Sequence, residues 1–546
     1  KPDYALAHAN LLFCLNYHPD RSAEEIFAEY QRFDAAHAKS HMPAKVSYAN
    51  EATTSRRIRV GFLSPDFREH AARHFLDPLL RHLDRSKLEI VCYAEVTNED
   101  HVTQSFKAMA DHWRSTVGLS DEALADRIRQ DRIDILVDFG GHTSASRLLV
   151  MARKPAPVQV AHHLGHGYTS GLSSVDVFLS DAEMAPVGSE HLFAERIVRL
   201  SRIPVAYQPP EGMADVAPLP ALRNGFVTFG YFGRTERIND RVVAAWAEIL
   251  KRVPSSRLLL NAKAFSEPAF TDLMAQRFAA QGVGRERLVM VYTSPQPKTW
   301  AAYGEVDIAL DPFPHNAGTT TIEALYLGVP VVSVEDRPSV GRFGASNLAA
   351  VGLRDWVAKD VAGYVGLACA KASDVAALAA LRAGMRARFL ASHLADGPGL
   401  ARELEHAFEN LWKQWCQGHG GAEPTVAPEV AARRKAVMVQ ASRLDGERNL
   451  VQAAAALLNH WSSDRSDAEG ATYLSDIYRR LGRLTDAEAA ARAALHARPR
   501  SASAFNALGN ALSAQHRLTD AEAAFTSAIA HAPDHGEAYN NRALVR

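Results

Sequence analysis

Residues 306–347 constrain the fold more than any other stretch of the chain. Val306 to Leu310 is a short apolar run of the kind that forms a buried strand, and a turn rich in Pro, Gly and Asn follows it. Thr319 to Leu327 predicts a helix that ends at Gly328, and Val329 to Val334 predicts a second buried strand. This order of elements is typical of a parallel sheet in an α/β domain.

The loop before this helix is a candidate binding site for a diphosphate. In parallel α/β sheets, ligands lie beyond the carboxyl ends of the strands, where loops lead into helix N-termini. The N–H groups of Thr319, Thr320 and Thr321 would point there, together with the positive end of the helix dipole. Glu323, one turn further on, is placed to accept hydrogen bonds from a ribose diol. An ordinary capped helix without a ligand is the alternative that the spacing leaves open.

The central part of the chain alternates β-rich and helical runs in two series. The first series spans residues 57–203 and the second spans 226–416, and a Pro-rich linker at 204–225 joins them. Such alternation predicts two Rossmann-like α/β lobes, with a cleft between facing strand ends. The predicted strands are Ile58 to Leu63, Glu89 to Tyr93, Ile133 to Phe139, Val158 to Ala161, Val175 to Leu179, Ile197 to Leu200, Phe226 to Gly230, Arg257 to Asn261, Leu288 to Val291, Val306 to Leu310 and Val329 to Val334.

A period of 34 residues runs through the C-terminal part of the chain. Asp467 to Arg500 aligns with Ser501 to Asp534, with the length and the pattern of small and large residues of a tetratricopeptide helix pair. A degenerate copy precedes them and a partial copy follows. We therefore predict an all-α tetratricopeptide superhelix over residues 433–546, after a linker at 417–432.

The first 56 residues resemble the end of such a repeat, followed by connecting helices. Either repeats flank the central region on both sides, or the sequence is a fragment or a reordering of a longer chain. Because each repeat buries its apolar face only against its neighbours, half repeats at the two ends would be poorly capped. We expect these ends to be frayed or covered by another copy, which would make a homo-oligomer through the repeats.

The motifs of residues 306–347 resemble those of one family. Asp-Pro-Phe-Pro-x-Asn-x-x-Thr-Thr-Thr-x-Glu-Ala-Leu, then Gly-Val-Pro-Val-Val and Gly-Arg-x-Gly-Ala-Ser, are similar to the C-terminal lobe of the O-GlcNAc transferase family, especially its bacterial members and the SPINDLY proteins. The resemblance covers roughly Arg57 to Cys416 and implies a GT-B glycosyltransferase fold. It also implies that Asn316 belongs to the donor site with the three threonines and Glu323.

The resemblance further implies an activity. N-acetylglucosamine would pass from UDP-N-acetylglucosamine to Ser or Thr hydroxyls of proteins, with inversion at the anomeric carbon and without a metal or another cofactor. Acceptor peptides would lie extended along the repeat groove. Other sugars stay open, namely fucose from a GDP donor, as in SPINDLY-like relatives, or glucose. A repeat-based binding scaffold whose lobes have lost activity also stays open.

Two histidines of the first lobe are candidate catalytic residues. His70 follows the first strand at a strand-to-helix loop, a suitable place for a general base near neutral pH. His142, in Gly-Gly-His-Thr, follows another strand and is expected at the same rim of the cleft. A hydrogen-bonded structural histidine is the alternative at such positions. His74, four residues after His70, could suggest a metal, but neither a third ligand nor a carboxylate is evident nearby, so we expect no metal.

Residues 163–171 depart from the family pattern. Relatives have Trp-Leu-Gly-Tyr-Pro-Gly/Asn-Thr-Ser/Thr-Gly here, in a loop that approaches the sugar and the donor phosphate, whereas this chain reads His-Leu-Gly-His-Gly-Tyr-Thr-Ser-Gly. Gly165 and Thr169 are kept, so the resemblance implies that they lie at the donor. The replaced Trp, Tyr and Pro leave the identity of the sugar, and activity itself, open.

Arg237 falls on the family's diphosphate-binding Lys, in Phe-Gly-Arg-Thr-Glu-Arg-Ile at the place of Phe-Asn-x-x-x-Lys-Ile. Arginine keeps the positive charge and adds bidentate phosphate geometry. Arg234 beside it would make a phosphate-binding pair, and a solvated arginine is the alternative. Thr299 stands where many relatives have His, which suggests altered contacts around the uracil or the acceptor.

Composition and missing motifs argue against other classes of protein. Lys+Arg 61 against Asp+Glu 62 gives no charge bias towards nucleic acid or a membrane surface. Four scattered cysteines, without a CxxC pair, fit the reduced thiols of a cytoplasmic protein. The sequence has no GxxxxGK[ST], no GxGxxG after a strand and no DxD-type acidic pair at a cleft-facing strand end, which argues against an NTPase, a dehydrogenase and a metal-dependent sugar transferase.

Overall fold

A computed structural model describes residues 4–43, 46–143, 145–419, 428–464, 467–498, 501–532 and 535–545. The chain forms two compact units, residues 1–420 and 421–546. The first unit contains both predicted α/β lobes.

The first lobe is built on a seven-stranded parallel sheet in the order β3-β2-β1-β4-β5-β6-β7. Strand β1 pairs with β4 in a register that places Val60 opposite Ile135, and both strands are almost fully buried because helices cover both faces of the sheet. The strands are β1 Ile58–Ser64, β2 Leu88–Ala94, β3 His112–Ser115, β4 Ile135–Asp138, β5 Val158–His162, β6 Val177–Ser180 and β7 Arg196–Arg199. Only the half-exposed edge strand β3 escaped prediction, since its sequence, His-Trp-Arg-Ser, carries no apolar run.

The second lobe has a six-stranded parallel sheet in the order β10-β9-β8-β11-β12-β13. Its strands are β8 Thr228–Phe232, β9 Arg257–Asn261, β10 Leu288–Val291, β11 Ile308–Leu310, β12 Val331–Val334 and β13 Val357–Ala358. Five of the six were predicted, and the two-residue β13 was not. Because β8 lies beside β11, the loops that follow these two strands meet at one edge of the sheet.

Sixteen α-helices accompany the two sheets within the described part of the first unit. They are α1 Ala5–Leu15, α2 Ala23–Phe33, α3 Arg73–His82, α4 His101–Met109, α5 Asp121–Gln130, α6 Leu148–Ala152, α7 His163–His166, α8 Pro220–Asn224, α9 Asp240–Arg252, α10 Pro268–Ala279, α11 Gln296–Ala302, α12 Thr319–Tyr326, α13 Phe343–Ala350, α14 Val361–Ser373, α15 Val375–Leu390 and α16 Gly397–His419. Local signals set several starts. A capping box between Ser22 and Glu25 begins α2, and Asn239 caps α9.

The chain segments at the ends of the first unit pack on the first lobe. Leu12 of α1 and Phe33 of α2 are buried in the same apolar cluster as Tyr93 of β2. Helix α16 was predicted within the second lobe, at 226–416, but its apolar face, including Trp412, lies in the first lobe's core. The Trp412 indole N–H also donates to the carbonyl oxygen of Thr53, 2.9 Å away. An amphipathic helix does not reveal from its own sequence which of two cores it will cover.

The predicted linker at 204–225 is packed rather than free. Val205 and Tyr207 are buried against the second lobe's core, and α8 forms inside the segment. This connection is therefore part of the packed structure of the second lobe. The second predicted linker spans 417–432. Helix α16 extends into it and ends at His419, and residues 420–427 lie outside the described part of the chain.

The second unit is a stack of helix pairs, as the repeat period predicts. Its helices are α17 Pro428–Gly446, α18 Leu450–Ser463, α19 Ala468–Arg480, α20 Leu484–Ala497, α21 Ala502–Ala514, α22 Leu518–His531 and α23 Gly536–Val545. Helices α19 and α21 begin 34 positions apart, and so do α20 and α22. Gly509 lets α21 and α22 approach closely, because a Cβ atom there would lie 2.4 Å from the Phe525 ring. The all-α repeat region is confirmed.

Among the described residues, none of the helices is by itself long and apolar enough to cross a bilayer. Helices α14 and α15 meet the length and composition test only as a pair, bent by 92°.

Candidate functional site

The N-terminus of α12 opens at the edge where the loops after β8 and β11 meet. Gly318 precedes the helix and provides no side-chain cap, so the first N–H groups of α12 are left for another partner. Thr319 and Thr320 are half-buried. Thr321 is buried, and its hydroxyl donates to the carbonyl oxygen of Ala317 at 3.0 Å. The backbone N–H groups at the start of α12 are therefore available to an anion, whereas the Thr321 hydroxyl is already bonded.

Asn316 shapes the loop that enters α12. Its amide nitrogen donates to the carbonyl oxygen of Pro312 at 2.9 Å, and its amide oxygen accepts from the Gly344 N–H at 3.1 Å. The side chain is fully buried. Because the polar atoms of the Asn316 side chain already bond the protein, Asn316 contributes to the predicted donor site by fixing the backbone of this loop.

Asp311, which the sequence did not single out, fixes the same loop from the end of β11. One carboxylate oxygen accepts from the Ala317 N–H and the other from the Ser333 hydroxyl, both at 2.7 Å. Burial raises the pKa of Asp311 to about 7, although these bonds and the Arg237 charge oppose the shift. A carboxylate directly after a buried strand is the signal that could have marked it.

Arg237 lies in the short turn after β8, and its charge acts on Asp311 and His315 in the loop that leads into α12. Its guanidinium is half-buried, and within the described ranges no carboxylate oxygen lies within 4.0 Å of it. Burial lowers the pKa of Arg237, but the neighbouring Tyr231, Tyr17 and Asp311 raise it by more, so the pKa lies above its ordinary value. A partly buried cation without a carboxylate in ion-pair contact is well suited to an anionic ligand. Arg234 is exposed, with its guanidinium carbon 5.9 Å from the centre of the Phe13 ring.

Glu323 lies one turn into α12 and is only 8% exposed. Its carboxylate accepts one long hydrogen bond, 3.4 Å, from the indole N–H of Trp300. Burial raises the pKa of Glu323 to about 7, and the Trp300 bond lowers it only in part. Burial and the nearby Glu323 charge in turn raise the pKa of the Tyr207 hydroxyl. Thr299, which stands where many relatives have His, donates its hydroxyl to the Thr293 carbonyl oxygen at 2.7 Å.

In the first lobe, His70 lies in the loop between β1 and α3 with 45% of its side chain exposed. Its Nδ1 atom accepts a hydrogen bond from the Ala72 N–H at 3.2 Å and lies 3.4 Å from a carboxylate oxygen of Asp66. Burial raises the pKa of Asp66, and the His70 charge lowers it in part. Nε2 is thus the ring nitrogen that faces away from these partners. The sequence did not predict the Asp66 contact.

His142 does not lie at an open rim, and this prediction was wrong. The ring is 4% exposed, and its Nε2 atom lies 2.8 Å from the carbonyl oxygen of Ser170. Tyr30 and Phe33 of α2 pack edge-on against it, with ring centres 5.1 Å and 4.8 Å away. Helix α2 comes from the N-terminal segment, so nothing near His142 in the sequence revealed that it would be covered.

Thr169 also lies away from any open surface. It is fully buried, and its hydroxyl donates to Glu195 at 2.6 Å. Gly171 follows with φ +74° and packs against Tyr30, where a Cβ atom would lie 2.8 Å from the Tyr30 Cβ. The kept residues at 169–171 therefore anchor the segment in the first lobe, which corrects the expectation that Thr169 contacts the donor.

The replaced part of this segment forms the short helix α7, which contains Gly165. His163, at its start, is buried, and burial lowers the pKa of His163 to about 3, so the ring is neutral. The carbonyl oxygen of Gly167 then accepts a hydrogen bond from the Ser339 hydroxyl of the second lobe. The part of the segment whose residues differ from the family pattern is thus the part that contacts the second lobe.

Across the ranges that the structure describes, no three or more His, Cys, Asp or Glu side chains are grouped to hold a metal ion. The structure thus gathers Arg237, Arg234, the α12 N-terminus and Glu323 in the second lobe, with His70 separate in the first. Such a set can bind a nucleoside diphosphate by its phosphates and its ribose.

The model of glycosyl transferase family 41 matches residues 7–205 and 219–404 of this chain. The chain is also similar to a solved structure, a point mutant of the Thermobaculum terrenum O-GlcNAc transferase. The two share 33% identity with a TM-score of 0.73, and the match covers 77% of this chain and 79% of that one.

Curated relatives include plant proteins named probable UDP-N-acetylglucosamine--peptide N-acetylglucosaminyltransferase SPINDLY. The Arabidopsis thaliana protein is 35% identical over 76% of this chain and 46% of its own length. The Oryza sativa subsp. japonica protein is 33% identical over 77% of this chain and 46% of its own. The chain therefore spans about half the length of these relatives.

Proposed function

Because the chain belongs to glycosyl transferase family 41, we propose that it transfers N-acetylglucosamine from UDP-N-acetylglucosamine to Ser or Thr hydroxyls of proteins, with inversion and without a metal. The resemblance inferred from the motifs of residues 306–347 is confirmed at the level of the family. The relatives' printed names, which describe peptide N-acetylglucosaminyltransferases, support this donor and a protein acceptor.

The observation that carries the proposal is the pairing of Arg237 with the α12 N-terminus. A departing diphosphate develops negative charge, and without a metal that charge must be met by cations and backbone N–H groups. Arg237 has no carboxylate partner within 4.0 Å among the described residues. It follows β8, and α12 follows the neighbouring strand β11, so the two lie at the same sheet edge. Glu323, as a carboxylate, would accept hydrogen bonds from the two ribose hydroxyls.

The proposed reaction is a single displacement. The acceptor hydroxyl oxygen attacks the anomeric carbon, and the bond from that carbon to the diphosphate oxygen breaks with its electron pair on UDP. The proton of the hydroxyl passes to the Nε2 atom of His70 or to a donor phosphate oxygen. Nε2 can accept this proton when the neutral ring carries its own proton on Nδ1, directed at Asp66 3.4 Å away. The Ala72 N–H, which donates to Nδ1 in this structure, must give up that bond first.

We further propose that the repeats bind the acceptor as an extended peptide. The second unit carries the helix pairs for such a groove, and its last described helix bonds back to the preceding pair, from Asn541 to Asn506 and Asn510 at 3.0 Å.

A transfer assay tests the proposal. The purified chain is incubated with a protein lysate and, in parallel, with labelled UDP-N-acetylglucosamine, UDP-glucose and GDP-fucose, and Ser and Thr modification is read by mass spectrometry. We expect N-acetylglucosamine on protein hydroxyls, with the same rate in EDTA. Transfer of fucose or glucose alone would replace the proposed donor. Nucleotide binding without transfer from any donor would favour a scaffold.

A further inference from the structure

The turn between α1 and α2 lies against Arg237 of the candidate diphosphate site. This turn, residues 16–22, belongs to the N-terminal segment, which no part of the proposed reaction uses. Tyr17 lies with its ring centre 5.8 Å from the guanidinium carbon of Arg237. The same ring stacks on His315, with centroids 4.5 Å apart and planes 19° from parallel. His315 stands three residues before Gly318, in the loop that enters α12.

Arg337 of the second lobe holds the turn in place. Its guanidinium donates to the carbonyl oxygens of Asn16 at 2.8 Å, His18 at 2.9 Å and Arg21 at 2.7 Å, and to Leu15 at 3.4 Å. A cation at the C-terminal end of α1 also meets the negative end of the helix dipole.

Further contacts hold the turn on both sides. The Asn16 amide donates to the buried Tyr30 hydroxyl at 2.9 Å, and Arg241 donates to the Pro19 carbonyl oxygen at 2.7 Å. Such bonds to α2 and to the second lobe make the turn a built wall of the site rather than a lid.

Tyr17 lies between the guanidinium of Arg237 and two other rings, the stacked His315 and Phe13, whose ring centre is 5.5 Å away. Burial holds the pKa of His315 well below its ordinary value, and the charge of Arg237 acts in the same direction, so the stacked imidazole is neutral. A neutral ring pair beside a partly buried guanidinium restricts the positions that the guanidinium can take without neutralising its charge.

We propose that Tyr17 is a positioning residue of the donor site, which holds Arg237 and His315 around the diphosphate of a nucleoside diphosphate. This inference rests on the proposed function and deepens it, because it makes the α1–α2 turn a structural part of the donor site. Donor binding is then coupled to the N-terminal segment, since displacement of the turn would release Arg237.

Calorimetric titration of the full 546-residue chain with UDP and with uridine tests this inference. Tyr17→Ala should weaken UDP binding about tenfold, the loss of a partly desolvated cation–π contact, and should leave uridine binding within about twofold. Tyr17→Phe keeps the ring and should restore most UDP affinity. Leu11→Ala, at a 46% exposed position of α1, is the matched control and should bind both as the wild type does.

Circular dichroism and thermal melting accompany each variant. A Tyr17→Ala chain that is folded and binds UDP as tightly as the wild type overturns the inference and leaves the proposed function standing. Equal losses for UDP and uridine overturn it as well, because they indicate a general structural role. If Tyr17→Ala does not fold, failure of Tyr17→Phe to keep wild-type UDP affinity contradicts the ring-based role. A wild-type chain that binds no nucleoside diphosphate overturns the proposed function and this inference together.

Discussion

The second lobe gathers its charged side chains at one sheet edge, whereas the first lobe exposes one candidate histidine, His70, and buries the other, His142. In the second lobe, Arg237 and Glu323 are placed by elements only a few residues away from them, the turn after β8 and the first turns of α12. In the first lobe, the exposure of His142 depends on α2, more than 100 positions earlier in the chain. Local elements therefore place the side chains of the second-lobe site, whereas packing by a distant helix determines whether His142 of the first lobe is exposed.

The largest effect is expected at Arg237. Arg237→Ala removes a partly buried guanidinium that has no carboxylate partner among the described residues and that follows β8 at the sheet edge where α12 begins. Turnover should therefore fall by about a hundredfold to a thousandfold. Arg252→Ala is the matched control, because Arg252 pairs with Glu248 on the surface of α9. Steady-state kinetics with matched thermal melts measure both. Unchanged turnover in Arg237→Ala would rule out its role at the diphosphate.

The two histidines of the first lobe should behave oppositely. His70→Ala should lower turnover by up to about a hundredfold with little change in stability, because the side chain is half exposed. His142→Ala should lower the free energy of unfolding by about 1–3 kcal/mol, because it removes a buried hydrogen bond to Ser170. Turnover and denaturant unfolding of both variants separate the two roles. Loss of turnover in His142→Ala without loss of stability would contradict this division.

Donor affinity should depend on pH through Glu323. Ribose hydroxyls donate to the carboxylate form, and the pKa of this carboxyl is raised to about 7, so donor binding should tighten by about tenfold from pH 6 to pH 8. Glu323→Gln, which removes this charge, should bind the donor more weakly and show a much flatter profile, in which only the remaining carboxyl of Asp311, also with a pKa of about 7, still titrates at the site. Titrations with UDP at several pH values check this. A wild-type profile as flat as that of the variant would remove Glu323 from the ribose.

The smallest effect is expected at Trp300. Its indole N–H bonds the Glu323 carboxylate at 3.4 Å and lowers the pKa of that carboxyl. Trp300→Phe keeps most of the apolar contact and removes this bond. The midpoint of the pH profile for UDP binding should therefore rise by less than about one pH unit. A midpoint that falls would show that the indole does not stabilise the carboxylate.

Much of the fold was accessible from the sequence because its signals are local. Short apolar runs predicted the buried strands, and the 34-residue period predicted helix pairs such as α19 with α20. The exposed edge strand β3 and the two-residue β13 have no such run. The sequence also could not show that α16 returns to the first lobe, since its apolar stripe fits either core.

The candidate site divides in the same way. The Thr-rich start of α12 and Arg237 were predicted because each belongs to a contiguous motif. Asp66, Asp311 and Tyr17 were missed, because each acts through contacts that only the folded chain creates. Thr169 was misplaced because its partner, Glu195, lies 26 positions away in another loop.

A crystal structure of this chain with UDP would test the assignment of the donor site most directly. We expect the diphosphate against the N–H groups of Thr319 and Thr320 and the guanidinium of Arg237, with the ribose hydroxyls on Glu323. UDP bound elsewhere, or with its phosphates turned away from Arg237 and α12, would contradict the assignment.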